Sequence, residues 1–166
     1  MTAKPPFEDL VQAHGPTVLR VCRAVLGSHP DAEDAWSETF LSALRAYPGL
    51  REPANHRAWL VTIAHRKAID VTRARARGAV PVGEVPERRS AHGIPEDGDG
   101  DVWRLVAALP DKQRAVLAYR YLGGLDYAAI AGLVGGSADA ARRAATDGMT
   151  TLRAQRDQLR VEGEVR

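Results

Sequence analysis

The chain has 166 residues, a formal net charge of +2 and 45% hydrophobic residues, which suits one or two compact globular domains. Its single cysteine excludes an internal disulfide and indicates a reducing compartment. The sequence contains no apolar run of about 18 residues and no secretory N-terminal segment, which argues against membrane insertion and secretion. We therefore expect a soluble, cytoplasmic protein.

The small net charge averages over segments of opposite sign. Residues 51–77 contain seven Lys and Arg against two Asp and Glu, and residues 142–160 contain five against two. Between them, residues 78–101 contain two Lys and Arg against six Asp and Glu. This alternation is typical of a chain that meets nucleic acid at two separate places.

The first segment, residues 7–26, has the apolar spacing of one or two helices. The pair Gly15-Pro16 indicates either a break or a proline in the first turn of a second helix. A tight connection at residues 27–30 would then fold this segment antiparallel to the helix that follows.

Residues 31–47 predict an amphipathic helix. One face carries apolar residues at intervals of three to four, namely Ala32, Trp36, Phe40, Ala43 and Tyr47. Acidic side chains share another face, namely Asp31, Asp34 and Glu38. The early acids have a purely structural interpretation, since Asp31 can cap the helix and acids suit its positive end. Glu38 lies beyond the first turn and is the best candidate for contact with a partner.

A second long helix is predicted for residues 58–77. Its buried side would contain Trp59, Leu60, Ile63, Ala64 and Val71. On its outward side Arg66, Asp70, Arg73 and Arg77 follow at intervals of four, three and four, and Lys67 and Arg75 widen the basic patch. Such a row suits DNA phosphates. The alternative is a solvated face on which Asp70 pairs with Arg66 or Arg73.

Residues 78–101 have the proline and glycine content of a flexible linker, and a second helical unit follows. We predict a helix with Val116, Leu117 and Tyr121 facing the core, after Pro110. Residues 126–134, the turn Gly135-Gly136-Ser137 and residues 138–159 then indicate a helix-turn-helix, with Ser137 as the N-cap of its second helix.

Three stretches together resemble the extracytoplasmic-function type of bacterial RNA polymerase sigma factor. They are DAEDAWSETFLSALRA at 31–46, AWLVTIAHRKAID at 58–70 and LPDKQRAVLAYRYLGGLDYAAIAGLVG at 109–135. The similarity covers nearly the whole chain, in the order of the family.

The resemblance implies an all-α fold of two small helical domains joined by a flexible linker. Residues 1–77 would bind polymerase and the -10 element, residues 78–100 would be the linker, and residues 101–166 would form a winged-helix-like or homeodomain-like helix-turn-helix domain for the -35 element. It implies core RNA polymerase and promoter DNA as partners, an anti-sigma factor as a further partner, and neither a cofactor nor a metal.

The resemblance also assigns candidate contact residues. Polymerase would be bound by Asp31, Asp34, Ser37 and Glu38. The -10 strand would be held by Asn55, His56, Arg57, Arg66, Lys67, Arg73 and Arg77. The -35 element would be contacted by Ser137, Asp139, Arg142 and Arg143.

The sequence departs from the family pattern at a few of these positions. Ser37 stands where a Gln is usual, and Arg66 where an Asn is common. In the last helix Ala140 to Ala144 replaces a Thr-Val-Lys-Ser-Arg run, and Gly148 is expected to weaken that helix by roughly 1 kcal/mol relative to alanine.

Two other functions remain open on the sequence. One is a stand-alone helix-turn-helix regulator, which would not need the acidic edge of residues 31–38. The other is a sigma-like interaction protein with weak or no -35 readout. An enzyme is disfavoured, because the five histidines and one cysteine are scattered.

Overall fold

The computed structural model describes residues 3–27, 30–52, 54–78 and 100–164, and every regular element in these ranges is helical. A first compact unit contains α1 (Phe7–Leu26), α2 (Pro30–Ala46), a 3-10 turn (Tyr47–Gly49) and α3 (His56–Arg77). A second contains α4 (Gly100–Ala107), α5 (Asp111–Leu117), a π-helical segment (Ala118–Leu122), α6 (Tyr127–Val134) and α7 (Ala138–Glu164). The expected all-α class is confirmed. Residues 79–99, nearly all of the expected linker, lie outside the described residues.

The first unit is a three-helix bundle whose helices each contact the other two. Its core is lined by buried residues from all three helices: Val18, Cys22, Leu26, Ala32, Ala35, Phe40, Ala43, Leu60, Ala64 and Ala68. The partly buried Trp36 and Val25 pack against this core. The apolar spacing of α2 and α3 therefore identified the correct faces.

The pair Gly15-Pro16 does not interrupt the first helix. The helix α1 runs unbroken through both residues, so neither the break nor the first-turn proline that the sequence suggested is present. Proline cannot donate the usual backbone hydrogen bond to the carbonyl four residues earlier, yet the helix continues, and α2 packs against it next to this position. The indole Nε1 of Trp36 donates to the Gly15 carbonyl at 2.9 Å. The proline is thus accommodated where the two helices pack closely.

The second unit is built around α7, against which α5 and α6 pack. Val116 and Ile130 are fully buried, and Tyr119 is 1% exposed. The sequence predicted that Tyr121 faces this core, and that prediction was wrong, because Tyr121 is 60% exposed. Tyr119 lies three positions after Val116 and therefore on the same buried side. Tyr121 lies two positions further along, where a helical side chain points to nearly the opposite side.

Gly148 allows the close approach of α5 to α7. A Cβ atom at this position would lie 2.8 Å from Cδ1 of Leu117 and 3.3 Å from Cβ of Gln113. The sequence suggested only that this glycine weakens α7. The lack of a side chain here also lets α5 pack closely against α7. The helix continues to Glu164, beyond the predicted end at residue 159.

Candidate protein and nucleic-acid interfaces

The acidic residues of α2 do not all remain free for a partner. Asp34, Ser37 and Glu38 are exposed, whereas Asp31 is half-buried in the first turn and forms an ion pair with Arg75 of α3. Because α2 begins at Pro30, Asp31 is inside the helix and not at the N-cap position that the sequence suggested. The exposed acidic edge therefore consists of Asp34 and Glu38, with Ser37 beside them.

Two leucines extend this edge along α2. Leu41 is 47% exposed and Leu44 is 52% exposed, and they follow Glu38 at successive intervals of three. Residues three apart lie on neighbouring positions of one helix face. The sequence contains the signal, since both leucines fall outside the buried stripe that ends at Tyr47, but a search for charged residues alone passes over them. We name Asp34, Ser37, Glu38, Leu41 and Leu44 the α2 outer face.

The basic residues of α3 lie on its solvent side. Arg66, Arg73 and Arg77 are exposed and Lys67 is half-buried. In the part of the chain that the structure describes, Asp70 forms no ion pair with Arg66 or Arg73, contrary to the alternative of a self-neutralised face. The row of arginines therefore presents uncompensated positive charge, whereas Arg75, pointing toward α2, is paired.

The segment before α3 is held by side chains of its own. Asn55 caps the helix, its Oδ1 accepting from the Ala58 amide at 3.1 Å. Nε2 of His56 lies 2.6 Å from Glu52 Oε1, and the other oxygen of Glu52 accepts from the Ala54 amide at 2.9 Å. The hydrogen bond to His56 is the main reason why the pKa of Glu52 lies below its ordinary value. Two of the three residues predicted to contact DNA here thus also shape the segment, and Arg57 is exposed.

His14 of α1 adjoins this segment. Its pKa is lowered from 6.5, first because of burial and then because of the positive potential of His56 and Arg57. His14 is half-buried and lies within electrostatic range of residues that are predicted to contact nucleic acid.

The helix-turn-helix of the second unit has a cap at the start of each helix. Asp126 accepts from the Ala129 amide at 2.7 Å, and Ser137 accepts from the Ala140 amide at 3.1 Å, as the sequence predicted for Ser137. Gly135 and Gly136 both have positive φ, a conformation that glycine adopts without steric cost. This turn brings the N-terminal end of α7 to the surface beside α6.

The predicted contact residues on α7 are partly engaged with one another. Arg142 Nη1 donates to Asp139 at 2.7 Å, and its guanidinium lies 5.2 Å from the centre of the Tyr127 ring. Arg143 is exposed. Because a guanidinium has five N–H donors, Arg142 retains donors for a phosphate while its position is fixed.

Two further cationic side chains, which the sequence analysis did not propose, lie beside the helix-turn-helix. The Arg120 guanidinium lies 4.8 Å from the centre of the same Tyr127 ring and donates to the Leu125 carbonyl at 3.1 Å. The Lys112 ammonium approaches the turn, 3.5 Å from where a Cβ of Gly136 would be. Arg120 belongs to the π-helical segment, a winding that often marks functional positions and that periodicity cannot predict.

The single cysteine is buried in the core of the first unit. Burial raises the pKa of Cys22 to about 12, so its thiol is protonated and unreactive. Within the described ranges, no three His, Cys, Asp or Glu side chains converge as metal ligands, and no helix combines the length and apolar character needed to cross a membrane.

Both units match known family models. Residues 10–78 match the model of sigma-70 region 2, and residues 99–152 match that of sigma-70 region 4. The chain is 33% identical over 148 residues to the ECF RNA polymerase sigma factor SigD of Mycobacterium tuberculosis, an alignment that covers 82% of this chain and 70% of that protein. It is 32% identical over 166 residues to the ECF RNA polymerase sigma factor ShbA of Streptomyces griseus, covering 90% and 87%.

Solved structures share the fold at lower identity. The sigma factor RpoE of Bartonella quintana, solved in complex with the anti-sigma factor NepR, superposes with a TM-score of 0.69 at 19% identity, covering 89% of this chain and 94% of that one. CnrH, solved in complex with the cytosolic domain of CnrY, superposes with a TM-score of 0.62 at 22% identity, covering 92% and 88%.

Proposed function

We propose that this chain, which belongs to the ECF RNA polymerase sigma factors and directs promoter-specific transcription, divides that task between its two helical units. Residues 1–77 dock on core polymerase and hold the melted -10 strand. Residues 78–100 link the units, and residues 101–166 bind the -35 element. The observation that carries this proposal is the segregation of charge in the first unit, where an acidic and apolar face on α2 lies apart from the exposed arginines of α3.

Docking on polymerase uses the α2 outer face. Asp34 and Glu38 supply charge that steers a basic partner, and duplex DNA does not compete for a negative surface. Leu41 and Leu44 supply apolar area, which is the larger contributor to affinity once partners are in contact. Asp31 contributes less, since its carboxylate is already paired with Arg75.

The -10 strand is held by α3 and the segment before it. Arg66, Arg73 and Arg77 follow the phosphates, while Asn55, His56 and Arg57 border the segment where an unstacked base would be received. Capturing a base requires a preformed pocket with nearby cations. The bonds that Glu52 and Asn55 make within this segment support such preorganisation. Lys67 is half-buried and adds charge at the margin.

The -35 element is held chiefly through its phosphates. Ser137 uses its hydroxyl in the helix cap and Asp139 is paired with Arg142, so fewer groups remain to read base edges. In contrast, Lys112, Arg120, Arg142 and Arg143 surround the helix-turn-helix with positive charge. Phosphate contacts fix the register of a protein on DNA without reading its sequence.

The sequence of events follows from these surfaces. The protein joins core polymerase in the cytoplasm, the second unit anchors the complex upstream, and α3 stabilises the opened strand. No step requires a catalytic group, a metal or a cofactor of the chain itself. An anti-sigma factor would inhibit transcription initiation by covering these surfaces. A sigma factor of the same fold has been solved in complex with the anti-sigma factor NepR.

Run-off transcription with purified core polymerase tests the proposal. Adding the protein should produce discrete transcripts from a subset of genomic fragments, and core polymerase alone should not. Polymerase binding without any specific transcript would contradict the proposal. It would favour the second candidate, a sigma-like interaction protein, which the internal engagement of Ser137, Asp139 and Arg142 makes worth testing.

A further inference from the structure

The residues that precede α1 form hydrogen bonds with the turn that follows α2. The Lys4 ammonium donates to the carbonyls of Tyr47 and Leu50, the latter at 2.8 Å, and lies 4.2 Å from the centre of the Tyr47 ring. In return, the Tyr47 hydroxyl donates to the Pro5 carbonyl at 2.6 Å. These contacts join residues more than forty positions apart in the chain.

The chemistry of Lys4 suits this position. The Tyr47 carbonyl accepts from the Leu50 amide at 3.0 Å and has a second lone pair for the ammonium, which supplies three donors with a full charge. Charge-assisted bonds of this kind are stronger than neutral ones. Lys4 is also near enough to Glu52 to contribute to the lowering of its pKa, after the larger effects of His56 and the Ala54 amide.

Tyr47, which binds Lys4 and Pro5, also contacts residues of α3. Its side chain is largely buried, with the residue 8% exposed. Its ring centre lies 5.4 Å from that of Phe7, and 6.2 Å and 6.3 Å from those of His56 and Trp59 of α3. His56 in turn binds Glu52, which holds the Ala54 amide. A continuous series of contacts thus runs from Lys4 to the segment that precedes α3.

We propose that Lys4 and Tyr47 are positioning residues for the -10 site: the segment Lys4–Phe7 locks Tyr47, and Tyr47 sets the position of His56 and, through it, of Glu52 and the Ala54 amide. The inference rests on the proposed function, because it assigns the geometry of that segment to residues that touch no nucleic acid. A site that receives a single base tolerates little displacement, so the supporting contacts matter as much as the contacting groups.

Hydrogen exchange of the full-length protein tests the positioning directly. In Lys4→Met, which keeps the length of the side chain and removes the charge, backbone amides of residues 50–58 should exchange about threefold to tenfold faster, the range expected when one ordinary hydrogen bond is lost. Amides of residues 18–26 in the bundle core should keep their rates. Lys4→Arg keeps the charge, so these amides should exchange as slowly as in the wild type. Arg20→Met removes an equal charge from the exposed side of α1 and should leave the exchange rates of residues 50–58 unchanged.

Promoter melting supplies the functional arm. With holoenzyme on a promoter located by start-site mapping, permanganate reactivity of -10 thymines should fall severalfold in Lys4→Met, at unchanged affinity for core polymerase. Unchanged exchange in Lys4→Met, or equal effects in Arg20→Met, would overturn the inference. So would faster exchange together with unimpaired melting. Wild-type holoenzyme that melts no promoter would instead overturn the proposed function, while the exchange experiment would still stand.

Discussion

Asp31 of α2 and Arg75 of α3 form an ion pair, and this pair joins the acidic helix to the basic one. Both side chains are partly exposed, at 30% and 48%, so the pair adds little to stability, about 0–1 kcal/mol. Its importance lies in the charges that it neutralises. It withdraws one acid from the polymerase-docking set and one arginine from the basic side of α3. The remaining free charges are Asp34 and Glu38 on α2 and the row Arg66, Arg73 and Arg77 on α3.

Reversing the charge of Glu38 should therefore weaken binding to core polymerase. We expect Glu38→Lys to reduce the affinity by at least about tenfold, since a like charge at a steering contact repels the partner. Circular dichroism and thermal unfolding should be unchanged, because the side chain is exposed. Glu33→Lys, which makes the same charge change on another exposed side of α2, is the matched control. Equal affinity of wild type and Glu38→Lys in a pull-down would remove the α2 outer face from the interface.

The ring of Tyr127 should matter for DNA binding although it carries no charge. Both Arg120 and Arg142 lie against it, at 4.8 Å and 5.2 Å. Tyr127→Leu should weaken binding to a random duplex and reduce the salt slope by about one for each phosphate that is no longer bound. Tyr127→Phe keeps the ring and should behave like the wild type.

The double variant Arg142→Ala, Arg143→Ala should lower the salt slope by about one to two. A slope that is the same for the wild type, Tyr127→Leu and the double variant would exclude this surface from phosphate binding. The measurement is fluorescence anisotropy across a salt series with the full-length protein.

Substituting Gly148 should destabilise the second unit, against the rule that alanine favours helices. The added Cβ would lie 2.8 Å from Leu117, and overpacking of about 1–3 kcal/mol outweighs a propensity gain of up to about 1 kcal/mol. Gly148→Ala should thus lower the free energy of unfolding by about 1 kcal/mol. Gly132→Ala is the control, because no atom lies within 4 Å of the new Cβ there and the helix should gain stability. Equal effects of the two substitutions on the unfolding midpoint would contradict the close packing of α5 on α7.

The stability of the first unit should fall in mild acid because of His14. Its pKa is lower in the folded chain than the ordinary 6.5, so the unfolded chain binds a proton at higher pH. Stability is therefore complete above the unfolded value and declines as the pH falls from there toward the folded value. His14→Gln cannot take up the proton and should lose less stability than wild type between about pH 7 and pH 5. Parallel stability curves of the two proteins in this range would show that His14 does not titrate as described.

Periodicity sufficed for much of the fold because most apolar residues alternate with the helical repeat. It identified the buried faces of α2 and α3, and the residue types Gly135-Gly136-Ser137 identified the turn and the helix cap. It failed where tertiary contacts override local signals. Pro16 continues a helix that the sequence pattern interrupts, and the buried aromatic of the second unit is Tyr119 and not Tyr121.

The candidate sites show the same division. Exposed charges such as Glu38 and Arg73 could be proposed from spacing alone, since solvent-facing positions repeat regularly along a helix. The pairing of Asp31 with Arg75 could not, because it joins residues from different helices. Nor could the role of Tyr47, which touches both the segment before α1 and the start of α3. The sequence assigned this tyrosine only to the core.

Mapping of transcription start sites after overproduction of the protein tests the central claim most directly. We predict new start sites that share two upstream elements, at -10 and -35, with the sites absent in Glu38→Lys and retained in Glu33→Lys. New start sites without a shared -10 element, or no new start sites from a protein that binds core polymerase, would contradict it.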